Sequence, residues 1–450
     1  MAPTLGALLA SRVCRATRPA SIHRTGARAV VRVNELLRRP PARRVPVWQH
    51  PVMPTPPRRR RLTLAACALV FTLPLVAARP AAPPKYASAA ADSVLRLDAV
   101  LDSLRLARGV PGLAAAVVER GQLVAIGAAG VTVAGAGRPL GIDDPMHIGS
   151  CTKSMVALAI ARLVEKHKLE WSTTLTDVFP EMMSDMLPVY RHVRLDQLLT
   201  HRGQIPAFEH VGDDTLVALN ALGQDPVQTR VAFARLVLEL APEHDPSQPY
   251  DYSNAGYTLA AAMAERTTGK TWERLVRELV FEPLAMTHSG TGWPSDTHRD
   301  APRGHRCADS TGIEPEPLRT TYHLGAVLGP GGDVNASIGD LARYVAFQLD
   351  GAKGRTTKPE LEAAAWHRLH DDPDKASPGY AMGWQVLPGD SAQPILFHDG
   401  TAGTFYARML IQPARDRAVV IVTNVGPPCG HDVCEQGVGE VLAWVKRMGR

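Results

Sequence analysis

The 450-residue chain contains no Cys-x-x-Cys pair and no His-Glu-x-x-His, spacings that commonly set up a zinc site, so no metal and no other cofactor is indicated. It also lacks Gly-x-Ser-x-Gly, which argues against the nucleophile elbow of an α/β-hydrolase. Positive charge is scarce where a nucleic-acid-binding body would need it. The formal net charge is +6, yet residues 1–85 hold 16 Lys and Arg against one acid, Glu35. The rest of the chain carries 34 basic and 43 acidic residues, a sign opposite to a nucleic-acid footprint. Internal repeats are absent, and long apolar runs are confined to one stretch near the amino terminus.

That stretch lies in "MPTPPRRRRLTLAACALVFTLPLVAARPAAPP", which starts at Met53. Four arginines, an apolar run and then small residues with prolines read as a signal peptide over 53–78. Residues 1–52, rich in Arg, Pro and Ala, read as upstream sequence ahead of the native start or as a targeting segment; residues 79–91 form a linker. Residues 92–450 then form one domain in a periplasmic or secreted protein. A mitochondrial transit peptide is the competing reading of the head, and a retained anchor that of the apolar run. Membrane contact is expected only through that segment if it stays uncleaved. An oxidising compartment is compatible with a bridge between Cys429 and Cys434 in "PPCGHDVCEQ". Cys151 and Cys307 read as small buried hydrophobes.

After the linker, "DSVLRLDAVLDSLRLARG" has helical spacing, and "GLAAAVVERGQLVAIGAAG" reads as two strands joined through Arg120 and Gly121. From Ser150 to about residue 345 the pattern is helical and loop-rich. Strands return in "YAMGWQVLPG", "PILFHDG", "FYARMLIQP" and "RAVVIVTNV", and "CEQGVGEVLAWVKRM" closes the chain as a helix. The expected fold is α+β: an antiparallel sheet built from both chain ends, flanked by helices, with an inserted, mostly helical region.

Within "HIGSCTKSM", Ser150 and Lys153 lie one turn apart at the head of the apolar run "MVALAIARLV". A serine needs a base to attack a carbonyl. A lysine supplies one when burial lowers its pKa, and the helix behind it offers that burial. "YDYSNAGY" holds the single Tyr-x-Asn of the chain, Tyr252 and Asn254. The phenol can ionise beside ammonium groups and relay protons, and the amide can hold Lys153 or a substrate carbonyl; an N-cap followed by core packing is the structural alternative. In "FHDGTAGTFYARMLIQP", His398, Asp399 and Gly400 precede what reads as an edge strand lining a cleft. His-x-Gly also occurs at His147, His201, His210, His288 and His323, which read as surface or loop residues.

In this order the sequence resembles the serine β-lactamase and penicillin-binding-protein superfamily, and within it the class C β-lactamase-like serine hydrolases. Ser-x-x-Lys is matched by Ser150 and Lys153, Tyr-x-Asn by Tyr252 and Asn254, and Lys- or His-x-Gly by His398 and Gly400. Similar blocks from about residue 92 to 446 include "RLDQLLTHRGQIP", "EPLAMTHSG", "GPGGDVNASIGDLARY" and "YAMGWQV". The resemblance implies a β-lactamase/transpeptidase-like fold and an acyl-enzyme mechanism. Ser150, Lys153 and Tyr252 would be catalytic; Asn254, His398, Gly400 and Thr401 would bind substrate, with the Ser150 and Thr401 amides forming the oxyanion hole. The substrate would be a small ester, amide or peptide.

Two departures separate this chain from authentic class C β-lactamases. No Lys-Thr-Gly occurs, and "RGQI" at 202–205 replaces the usual Thr-Ser-Gly-Leu. Histidine in place of lysine holds a substrate carboxylate less firmly near neutral pH. That favours an ester- or amide-cleaving serine hydrolase. A β-lactamase or D,D-carboxypeptidase, and a penicillin-binding sensor whose acyl-enzyme persists, remain the alternatives.

Overall fold

The computed structural model describes residues 94–449, except residue 136 and the stretches 244–249, 298–299, 309–311, 318–323, 376–378 and 390–392. The segments 1–52, 53–78 and 79–91 assigned above to upstream, signal and linker roles lie outside the described residues, as does His323.

Strand-forming sequence from both ends meets in one sheet: β1 (Leu95–Arg96), β2 (Gly112–Glu119), β3 (Gln122–Gly130), β4 (Gly379–Tyr380), β5 (Gln385–Leu387), β6 (Ile395–Thr401), β7 (Tyr406–Gln412) and β8 (Arg417–Thr423). Their order is β1-β3-β2-β8-β7-β6-β5-β4. Every pairing is antiparallel, as expected, except the short parallel contact of the two-residue β1 with β3 at one edge. Five helices matter for the site: α1 (Asp98–Arg108), α2 (Thr152–Glu165), α3 (Asn254–Thr268), α4 (Ile338–Ala352) and α5 (Cys429–Arg447).

Strand β2 reads "GLAAAVVE", almost without polar alternation, because both of its faces are covered. Ala114, Ala116 and Val118 join the core shared with α2, α3 and α4, whereas Leu113, Ala115 and Val117 join a second core with α1 and α5. Each fully buried Val or Leu contributes roughly 1.5–3 kcal/mol relative to exposure. Between the two halves of the sheet sequence sits the helical insertion. It also contains short strands at Ser289–Thr291, His305–Ala308, Gly312–Pro315 and Val334–Ala336, too brief to show a period of two in sequence. Buried Arg230, on the helix Pro226–Leu238, donates from Nη2 to Glu265 of α3 at 2.6 Å, fixing the helix that begins at Asn254.

Four expectations are corrected. "YAMGWQVLPG" is not one strand but the tight hairpin β4–β5, in which Gln385 pairs with Tyr380. His398 to Gly400 lie in β6, the strand expected from "PILFHDG", but the strand after them, β7, is interior and not an edge, being paired on both sides. The open flank belongs instead to residues 398–401 of β6, since β5 pairs only with 395–397. Finally, Cys429 bridges to Cys307 with a Cα–Cα separation of 5.9 Å, while Cys434 is a buried free thiol. Cys429 and Cys434 share α5, and five residues of helix turn their side chains away from each other. Cys434 faces the core beside the Tyr406 carbonyl; Cys151 is the buried small residue expected, and Cys307 is not.

Candidate active site

Ser150 sits in the 3₁₀ turn Gly149–Cys151 that runs directly into α2. The turn is pressed onto β6. Gly149 has φ +51°, and a Cβ there would lie 2.1 Å from the Thr401 amide nitrogen. A Cβ on Gly400 would lie 1.9 Å from the Ile148 carbonyl oxygen and 2.8 Å from the Ser150 nitrogen. Only glycine at both positions lets the backbones approach so closely. The amides of Ser150 and Thr401 are thereby held near one another at the positive end of α2, a suitable place for a developing oxyanion.

Helix α2 buries every residue from Thr152 to Leu163, Lys153 included, and Lys153 is 0% exposed. Its Nζ makes three contacts: the Asn254 side-chain oxygen at 2.7 Å, the Gly331 carbonyl at 2.6 Å and Ser150 Oγ at 3.2 Å. Two fixed acceptors occupy two N–H groups. The remaining direction points at Ser150, so when Lys153 is a free amine its lone pair can receive the serine proton. Burial pushes the lysine down to about 7, partly opposed by the charge of Glu209.

Tyr252 closes the other side of Ser150. Its hydroxyl is hydrogen-bonded to the serine, and Lys153 Nζ lies 4.7 Å from its ring centre. Burial holds the phenol well above its ordinary range despite that bond. Ionisation of Tyr252 by neighbouring ammonium groups, allowed by the sequence, therefore does not arise near neutral pH. The tyrosine is a neutral hydroxyl able to pass a proton along. Asn254 opens α3 after Ser253, whose hydroxyl caps the helix by accepting from the Gly256 N–H at 2.9 Å. Asn254 does more than cap: its Nδ2 donates to the Phe208 carbonyl at 3.1 Å, which aims its oxygen at Lys153.

His398 is placed differently from the expectation that its ring meets the substrate. Nδ1 lies 2.6 Å from the Asp399 carbonyl, an acceptor only, so this nitrogen carries the hydrogen. Nε2 then accepts from the Tyr380 hydroxyl at 3.0 Å. Burial, with help from nearby Lys153, lowers the imidazole to about 4. Thus His398 is neutral, 2% exposed and engaged at both nitrogens. Thr401 contributes its backbone, while its hydroxyl donates to the Phe405 carbonyl at 2.7 Å and steadies the turn after β6.

Ser150, Lys153, Tyr252 and Asn254 converge as side chains; Gly400 and Thr401 join them as backbone. Sequence reasoning did not single out Gly331, Tyr380, His147 or His201. The first two lie within "GPGGDV" and "YAMGWQV", recognised only as blocks. His147 and His201 are not surface residues. His147 is 0% exposed, accepts from the Gly149 N–H at 3.2 Å through Nδ1 and contacts Asp333 at 3.0 Å through Nε2. His201 accepts from the Ser253 N–H at 3.1 Å and packs its ring 4.4 Å from that of Tyr252. Neither role leaves a sequence signal beyond the histidine itself.

A mixed sheet from both chain ends, a helical insertion and a serine–lysine pair at the head of a buried helix define a β-lactamase/transpeptidase-like fold. The family model described as Beta-lactamase matches residues 97–439, and the chain belongs to that family. Penicillin-binding protein 4 of Amycolatopsis lactamdurans is 26% identical over 332 residues, 72% of this chain and 84% of that protein. The octameric penicillin-binding protein homologue from Pyrococcus abyssi matches with a TM-score of 0.62 at 21% identity, covering 77% of this chain and 76% of that one. D-amino acid amidase from Ochrobactrum anthropi SV3, complexed with L-phenylalanine amide, gives 0.59 at 22% identity, covering 79% and 98%. Likeness at these identities speaks for the fold. Among the described residues, no helix is long and apolar enough to cross a membrane.

Proposed function

We propose that the protein is an exported serine hydrolase that forms an acyl-enzyme through Ser150 on small esters, amides or peptides. The observation that carries this is the 3.2 Å contact between Ser150 Oγ and Lys153 Nζ, the lysine being wholly buried and lowered to about 7. Ser150 Oγ attacks the substrate carbonyl as its proton passes to Lys153, and the carbonyl π electrons move to the oxygen held by the Ser150 and Thr401 amides. Collapse breaks the bond to the leaving group, which takes the proton through Tyr252. Water then attacks the acyl-serine, giving a proton to the same relay, and Ser150 departs with it. The amidase of similar fold was captured with an amino acid amide, which supports small amides as substrates.

His398 bears on the choice among substrates. With no lysine at this position and a neutral ring occupied at both nitrogens, the third motif offers a carboxylate neither fixed charge nor a spare donor. Uncharged short-chain esters are therefore expected to be turned over with a higher kcat/KM than a chromogenic cephalosporin. Because His398 titrates near 4, the ratio should stay flat from pH 5 to 8. A penicillin-directed reading has the name of the Amycolatopsis relative in its favour. Comparing nitrophenyl butyrate with the cephalosporin across that range decides between them, and faster cephalosporin turnover selects the second reading.

Export rests on the arginines at 58–61 followed by the apolar run to residue 78. Amino-terminal sequencing of the secreted or periplasmic protein is expected to begin at residue 79 or beyond; a chain starting before Arg58 contradicts cleavage.

A further inference from the structure

One short segment braces the turn that carries the nucleophile. Along 331–334 the Gly331 carbonyl accepts from Lys153 Nζ at 2.6 Å, the Val334 N–H donates to Thr152 Oγ1 at 3.0 Å, and the Val334 carbonyl accepts from the Ile148 N–H at 3.0 Å. Asp333 is the one residue of this segment with a polar side chain, and it reaches the turn through His147, whose Nε2 lies 3.0 Å from its Oδ1. The other nitrogen of the same ring, Nδ1, accepts from the Gly149 N–H at 3.2 Å. A line of hydrogen bonds thus runs from a carboxylate through an imidazole to the peptide group just ahead of the Ser150 amide.

A backbone N–H only donates, so Nδ1 of His147 is bare and Nε2 carries the hydrogen. Asp333 enforces that tautomer, because a carboxylate accepts from Nε2–H and repels a bare Nε2 lone pair. The opposite tautomer would set two N–H groups against each other, the ring's and that of Gly149. Both residues are buried, and the imidazole is stacked on the Trp293 ring at 4.9 Å. Burying a carboxylate is costly, and a leucine beside the ring would cost less. What leucine cannot do is choose the tautomer. Gly149 is where that choice matters, since its φ is +51° and the position of a Cβ there is 2.1 Å from the Thr401 amide nitrogen. At so close an approach, a small rotation of the 148–149 peptide changes how the Ser150 and Thr401 amides face each other.

We propose that His147 and Asp333 are positioning residues of the Ser150 site: the carboxylate keeps the imidazole an acceptor, and the imidazole holds the Gly149 peptide so that the Ser150 and Thr401 amides converge on one oxyanion. The pair touches no substrate and moves no proton. It rests on the hydrolase function proposed above and deepens it, adding the device that aligns the oxyanion hole.

The test compares Asp333→Leu, Asp333→Asn, His147→Asn and the double variant His147→Asn with Asp333→Leu. Fluorophosphonate titration counts competent sites, so every rate is expressed per site. Asparagine at 333 keeps an acceptor for Nε2–H; at 147 its side-chain oxygen stands as many bonds from Cα as Nδ1 does. Hydrolysis of nitrophenyl butyrate reads the reaction, and the Ki of phenylboronic acid, which adds to a serine as a tetrahedral anion, reads the oxyanion hole. Asp333→Leu is expected to lower kcat/KM per site roughly 10- to 100-fold and to raise the boronate Ki in step, short of the effect of deleting an oxyanion donor outright. Asp333→Asn should stay within about threefold of the wild type, since a neutral acceptor replaces a charged one. In the His147→Asn background, adding Asp333→Leu should change either quantity by no more than about twofold, because the carboxylate acts only through the ring. A merely structural role lowers the number of titrated sites while each keeps the wild-type rate and Ki, and that result overturns the proposal. So does Asp333→Asn performing no better than Asp333→Leu, or an equal effect of Asp333→Leu in both backgrounds. Where Asp333→Leu yields too few sites to measure, His147→Asn against His147→Leu carries the same test: only the first keeps an acceptor for Gly149, and equal boronate Ki values overturn the assignment. A wild type neither labelled nor active removes the hydrolase function and this proposal with it, whereas unaffected variants of a labelled, active wild type remove the positioning pair alone.

Discussion

Ser150→Ala is expected to lower hydrolysis of nitrophenyl butyrate by at least roughly 10³-fold, because no other group in the site can form the acyl bond. Alanine removes one hydroxyl from a half-buried turn and leaves the Gly149–Gly400 contact untouched, so circular dichroism and melting should match the wild type. Residual rate from oxyanion stabilisation alone should show no burst. Retention of more than about a tenth of the activity would place the nucleophile elsewhere.

Lys153 separates two explanations of the site, a base and a fixed charge. Lys153→Ala should lower the acylation rate by roughly two or more orders of magnitude, and Lys153→Arg, which keeps the charge but cannot deprotonate, should do the same. Recovery of activity in the arginine variant would show that charge alone suffices. The pH profile carries the same content. The buried lysine titrates near 7, below its ordinary value, so the free amine dominates above that pH and is lost as pH falls through it. The wild-type kcat/KM should therefore drop about tenfold for each unit well below 7. Tyr252→Phe should cost a comparable factor without moving that limb, since the phenol stays protonated throughout. Normal rates in Tyr252→Phe would reduce it to packing against His201 and Lys153.

Much of the architecture was legible because the chain is locally consistent. "NAGYTLAAAMAERTTG" and "SIGDLARYVAFQLDG" have caps, helical spacing and sufficient length, and they fold as α3 and α4. The strands β6 to β8 follow the apolar runs closely. What escaped depends on contacts distant in sequence. The Cys307–Cys429 bridge spans 122 residues, and no spacing rule reaches that far. Which strand is open depends on β5 being only three residues long, a fact about pairing and not about composition. In the site, side chains with a fixed local motif were found, whereas the Gly331 carbonyl that completes the lysine's environment is backbone and has no residue signature. The imidazole of His398 shows the same limit. Its residue type suggested a ligand, but the Tyr380 hydroxyl across the β4–β5 hairpin determines what its ring can offer.

The central claim is that Ser150 becomes covalently modified because Lys153 takes its proton. Peptide mapping by mass spectrometry after treatment with a fluorophosphonate tests this most directly. The account predicts a single adduct, on Ser150, formed in step with loss of ester hydrolysis and faster at pH 8 than at pH 6. An adduct on a different serine, or complete labelling of Ser150 with hydrolysis undiminished, would contradict it.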